Sequence, residues 1–214
     1  MPAFKYSCFL SYRHGQRDIK QRFIKEFHEA LSNELELFRN EEVYIDWERL
    51  KGGDFYNETL ARALYQSVCM VAIYQPNYFD PEHTYCAREY RAMTDLEAER
   101  LALFPDAADR NHSLIIPIIL RGDGGVPSEI SRRRHLYDFS KFMLIDSQIS
   151  KHPLYAPSIR QIAEYIHDMC LCFETAPVPF NRVDDFHLPS DDAIKHWLST
   201  MTARRAAFPG RVPV

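Results

Sequence analysis

The sequence predicts an α/β domain: a doubly wound parallel sheet of five strands, with helices on both faces and a C-terminal helical extension. Three observations predict it. The hydrophobic period switches repeatedly between that of a strand and that of a helix. Three short runs are apolar throughout, as strands covered on both faces require. The composition changes after Glu174, where five of the 13 prolines fall within residues 177–213. A length of 214 residues fits one domain of roughly 150 residues plus an extension.

The elements follow in order. Phe4–Tyr12 (FKYSCFLSY) is short and aromatic-rich, a strand pattern. Residues 17–38 carry Phe23, Phe27, Ala30, Leu31, Leu35 and Phe38 at helical spacing. Val43–Asp46 reads as a short strand and Phe55–Ser67 as a helix with Leu60, Ala61 and Leu64 on its apolar side. Val68–Tyr74 (VCMVAIY) and Leu114–Leu120 (LIIPIIL) are buried-strand runs, with residues 84–104 helical between them and bounded by Pro105. Pro117 cannot donate to a ladder, which favours an edge or a bulge. Pro127–Phe139 reads as a short helix and Phe142–Ile145 (FMLI) as the last strand. After Pro157, the apolar set from Ile159 to Phe173 traces an amphipathic helix. This alternation favours strand order 2-1-3-4-5, the flavodoxin-like arrangement. In the tail, Ser190 can cap a helix opened by Asp191 and Asp192, with Ile194, Trp197, Leu198 and Met201 as its apolar face. That face either docks on the core or binds a partner.

Composition narrows the function. Lys and Arg total 26 against 30 Asp and Glu, for a net charge of −4, which excludes a broad electrostatic grip on nucleic acid. The run Arg132–Arg134 reads as a solvated helix face. No apolar run approaches membrane-spanning length. The opening MPAFKYSCFLSY lacks a signal-peptide pattern, so a cytoplasmic location is expected. The five cysteines form no CxxC pair and read as free thiols. The nine histidines show no metal-binding spacing, and no metal is expected.

In such sheets ligands bind beyond the carboxyl ends of the strands. There the sequence places Ser11, Tyr12 and Arg13; then Asp46, Trp47, Glu48, Arg49 and Lys51-Gly52-Gly53; then Gln75 to Tyr78 and the helix carrying Glu89. An arginine, a carboxylate, aromatics and a Gly-Gly loop thus share one rim.

Three stretches narrow this rim further. Tyr6–Arg13 (YSCFLSYR), Val43–Phe55 (VYIDWERLKGGDF) and Asn77–Glu89 (NYFDPEHTYCARE) resemble, in that order, the first box, the second strand with its loop, and the third-strand exit with its helix of Toll/interleukin receptor (TIR) domains. The resemblance covers roughly residues 4–173, leaving 174–214 as an extension. It implies the NAD+-cleaving branch, because the loop after the second strand reads RLKGGDF without proline and Glu89 matches that branch's glutamate. Glu89 is the implied catalytic residue; read from the helix alone, it is a solvated residue pairing with Arg88 or Arg91. The implied substrate-binding set is Tyr12, Arg13, Asp46, Trp47, Arg49, Lys51, Phe55 and Tyr85. Arg13 contacts a phosphate or forms a surface salt bridge. Asp46 binds ribose hydroxyls or holds the loop through an Asx-turn. Trp47 and Phe55 stack on a ring of the substrate, with core packing the alternative for Phe55. Tyr85 lies on Glu89's helix face, where the family most often has tryptophan.

On this reading NAD+ is the substrate and no cofactor is needed. The implied role is an immune-signalling or NAD+-depleting effector, active on self-association through the 48–56 loop and controlled by an activating partner or second messenger. The rival readings are a non-catalytic TIR scaffold and another nucleoside or nucleotide N-glycosidic enzyme.

Overall fold

The structure, a computed structural model, describes residues 4–15, 18–40, 42–47, 54–104, 112–121, 126–131, 134–142, 149–175 and 183–206, with side chains left out at 18–19, 54–56, 175 and 202–206. Its elements are β1 (Tyr6–Tyr12), α1 (Asp18–Glu36), β2 (Glu42–Ile45), α2 (Asp54–Tyr65), β3 (Ser67–Tyr74), α3 (Tyr85–Leu101), β4 (Ile115–Ile119), α4 (Ser128–Ser131), β5 (Tyr137–Asp138), α5 (Tyr155–Thr175) and α6 (Asp191–Ala206). The sheet is parallel throughout, in the order β2-β1-β3-β4-β5. Every residue of β3 is buried, the signature of a central strand covered on both faces.

Helices α1 and α5 pack together on one face of the sheet, and α2 and α3 on the other. Alternation along β1 then divides its side chains. Cys8 lies on the α5 side, within electrostatic reach of Cys170, whereas Ser11 meets α3. This division separates what the carboxyl end of β1 offers to each face.

Pro117 sits inside β4, and the ladder explains how. Met70 N–H donates to Leu114 C=O and Leu120 N–H donates to Tyr74 C=O, so even-numbered residues of β4 bond β3. Odd-numbered ones face β5, which reaches only Ile118 and Ile119. The missing N–H of Pro117 therefore falls where no ladder bond is made. The fifth strand corrects the reading of residues 127–145. It is Tyr137–Asp138, inside the stretch expected to be helical; α4 is a single turn, and Phe142 belongs to a 3-10 turn, Ser140–Phe142. Residues 143–145 lie outside the described set. A two-residue edge strand needs backbone pairing but no apolar run, so hydrophobicity points elsewhere: Phe142 is buried against Phe139 and Tyr155.

Arg134 departs from the solvated face expected of its run, since its side chain is 9% exposed, pairs with Glu97 at 2.5 Å and lies over the Tyr90 ring. Arg132 and Arg133 lie outside the described residues. Arg100 is a buried cation that sequence reading passed over. At 3% exposure it donates to the Ser67 carbonyl at 2.7 Å and the Tyr65 carbonyl at 2.5 Å, locking the end of α3 to the start of β3. Cys8, Cys69, Cys86 and Cys170 are buried free thiols.

Helix α6 docks on α3. Ile194, Leu198 and Met201 bury against Ala87, and the Trp197 ring meets Phe79 edge-on at 5.6 Å. Ser190 accepts the Ala193 N–H, the cap expected from sequence. At the seam Thr84 Oγ1 donates to Asp191 at 2.6 Å and Arg88 Nε to the Pro189 carbonyl at 2.7 Å. Ile194 is 1% exposed, so Ile194→Ala is expected to cost about 2–4 kcal/mol. Hydrogen exchange across α6 checks this: unchanged protection would mean that the helix holds without that side chain.

Candidate functional site

The site is built where β1 ends against α3. Ser11, the penultimate residue of β1, points to the α3 face and is 1% exposed. Its hydroxyl donates to Glu89 Oε2 at 2.5 Å. Glu89 lies one turn after Tyr85 on α3 and is 7% exposed. It is therefore no solvated helix residue. The arginines that might have paired with it are engaged elsewhere: Arg88 with Pro189 and Asp191, Arg91 with Asp95. A carboxylate taken out of water is costly unless hydrogen-bonded, and the Ser11 hydroxyl supplies such a bond.

Behind Ser11 stands Tyr78, from the turn after β3. It is fully buried, and its hydroxyl lies 2.6 Å from Ser11 Oγ. Burial pushes its phenol well above the ordinary tyrosine range, with the neighbouring Cys86 and Glu89 adding to the effect. Its ring is fixed edge-on to Phe79 at 5.0 Å. Tyr44 on β2 is also pushed up, to about 12, by burial first and then by Asp46, Tyr6 and Glu89. Both phenols therefore stay protonated within electrostatic reach of Glu89.

Arg13 follows β1 and turns to Asp80, with a 3.3 Å contact and a side chain 11% exposed. Its Nε is buried with no hydrogen-bond partner. Asp80 also accepts the Glu82 N–H, which fixes the turn leading into α3. Tyr85 is half-buried with the Arg88 guanidinium over its ring at 5.8 Å.

Other expected residues make a second set of contacts. Tyr12 donates its hydroxyl to the Asp46 carbonyl at 2.7 Å and stacks on His14 at 4.5 Å, while His14 faces the Asp46 carboxylate at 3.8 Å. Trp47 is 49% exposed and meets His28 edge-on. Tyr12, His14 and Trp47 line a groove of about 500 Å³ shared with Arg22, Ile24 and Lys25 of α1. Strand alternation is the reason: Tyr12 follows Ser11 and so points to the α1 face. Arg49 and Lys51 lie outside the described residues, as does the side chain of Phe55; of the 48–56 loop only the backbone from Asp54 is described. Ser11 and Tyr78 were visible in the sequence as rim residues. That they converge on Glu89 was not, since 78 and 11 residues separate them from it along the chain.

His28 titrates in a useful range. Burial, its largest influence, lowers its pKa below 6.5, against a contact with the Val43 carbonyl and the Glu29 charge. As pH falls below 6.5, the unfolded chain takes up this proton first, so stability declines until the folded ring protonates too. We expect the urea midpoint to fall between pH 7.5 and 5.5, and to fall less in His28→Gln; equal declines would remove His28 as a source.

Among the described residues, no cluster of His, Cys, Asp and Glu is arranged to hold a metal ion, and no helix is long and apolar enough to cross a membrane. Fold and site together define a doubly wound α/β domain with a buried carboxylate at the carboxyl end of its first strand. The TIR domain family matches residues 8–149, well over half the chain. The chain belongs to the TIR domain family. No curated protein matches it.

Proposed function

We propose that this TIR domain cleaves NAD+ at the bond between nicotinamide and ribose. The observation that carries the reading is Glu89, a carboxylate buried at the carboxyl end of β1 and held there by Ser11. Nicotinamide in NAD+ is already a cationic leaving group and departs as a neutral base, so the reaction needs no acid to expel it. The ribose becomes oxocarbenium-like as the bond breaks. A preorganised carboxylate stabilises that charge, as in glycoside cleavage. Capture by water gives ADP-ribose; capture by an adenine nitrogen gives a cyclic product.

Arg13 supports the reading, because a guanidinium with an unsatisfied buried N–H suits a phosphate oxygen. Tyr85, one turn before Glu89, offers an aromatic wall. Association with other TIR domains is the family's common mode of action, and the 48–56 loop is the surface we assign to it. In this reading the chain acts as an NAD+-depleting or signalling effector in immunity, switched by assembly.

The test is nicotinamide release from NAD+ by the purified chain at high concentration, with products resolved by chromatography. Release that rises steeply with protein concentration is the expected result. No release at any concentration, with assembly verified, would favour the scaffold reading.

A further inference from the structure

We propose that Ser11 and Tyr78 are positioning residues that hold the Glu89 carboxylate through a directed hydroxyl relay. This rests on the proposed reaction at Glu89. The direction follows from counting protons. A serine hydroxyl has one hydrogen, and that of Ser11 goes to Glu89 Oε2 at 2.5 Å. The 2.6 Å contact between Ser11 and Tyr78 must then be a donation from the tyrosine. The chain runs Tyr78 O–H to Ser11 Oγ, then Ser11 O–H to Glu89 Oε2.

Each link is fixed by a different element. Ser11 is held by the ladder of β1 between β2 and β3. Tyr78 is 0% exposed, its ring wedged against Phe79 and Tyr90, and the Phe79 ring in turn meets Trp197 of α6. Glu89 is carried by α3, which α6 clamps from outside. The carboxylate is therefore set by three packed parts, and its rotamer does not have to be found when substrate arrives. Donation to a donor strengthens the second bond, so the hydrogen-bonded route from Tyr78 to Glu89 runs through Ser11. A relay of this kind supports a charge that develops in the transition state and contributes little to ground-state binding.

That gives a kinetic signature. Ser11→Ala is expected to lower kcat by about tenfold or more with KM within about twofold of the parent. Tyr78→Phe keeps the packed ring and is expected to lower kcat about three- to tenfold, but to have no further effect once Ser11 is replaced. The relay is also read without turnover. The Tyr78 hydroxyl proton, assigned by its loss in Tyr78→Phe, is expected as a slowly exchanging NMR resonance that shifts on Ser11→Ala and on Glu89→Gln. An active chain in which the two substitutions act independently, or act on KM, overturns the positioning role. A Tyr78 proton indifferent to Glu89→Gln overturns the relay itself. A chain that releases no nicotinamide while that proton responds as expected upholds the relay and overturns the reaction instead.

Discussion

Glu89→Ala is expected to lower nicotinamide release by about 10²–10³-fold or more, with the fold retained. The argument is electrostatic. The proposed reaction creates positive charge on a ribose, and Glu89 is an acidic side chain buried against the carboxyl end of β1 and held by a hydroxyl. Its removal takes away a preorganised charge that solvent cannot replace at the same place. The structural cost is smaller. Ser11 loses an acceptor, which costs about 1–3 kcal/mol, within the stability of an ordinary domain. Circular dichroism and thermal melting beside the chromatographic assay separate the two effects. A folded variant with full turnover would remove Glu89 from the chemistry, and with it the catalytic reading.

A large effect on stability is also expected at Arg100. Arg100→Met keeps most of the side-chain length but removes every donor. The carbonyls of Tyr65 and Ser67 lose their guanidinium partner, and the cation that sat 4.9 Å over the Phe4 ring is gone. Burial alone argues the other way, since it pushes the guanidinium down to about 10 and a neutral side chain escapes that desolvation. The unsatisfied carbonyls outweigh it, because they are buried at the junction of α2, β3 and α3. A loss of about 3 kcal/mol is expected, a drop of about 6–12 °C in Tm for a chain of this size. Denaturant unfolding with an unchanged m-value would check it, and a midpoint equal to the parent's would show that the carbonyls find other donors.

Part of the candidate site's geometry could be read from the chain, for a definite reason. Tyr85 and Glu89 are four residues apart, and helix geometry alone puts them on one face. Ser11, Tyr12 and Arg13 end a strand, where a parallel sheet opens to ligands. What could not be read was the sorting of these residues between two faces. Ser11 and Tyr12 are neighbours in sequence and rim partners in pattern, yet one reaches Glu89 and the other a groove against α1. That depends on the phase of β1, which the uniformly apolar stretch Cys8–Leu10 does not reveal, since both its faces are buried.

The same contrast runs through the fold. Local patterning by itself determined the alternation of strands and helices and the Ser190-capped last helix, because period, capping and buried-strand runs are written in consecutive residues. Only tertiary structure decided the fifth strand, whose two residues pair through backbone and carry no hydrophobic signal. It alone decided that α6 lies on the helix of Glu89, since an amphipathic face does not name what covers it. And it alone joined Tyr78, Ser11 and Glu89 into one hydrogen-bonded line, because a bond between distant residues is made by packing and leaves no trace in spacing.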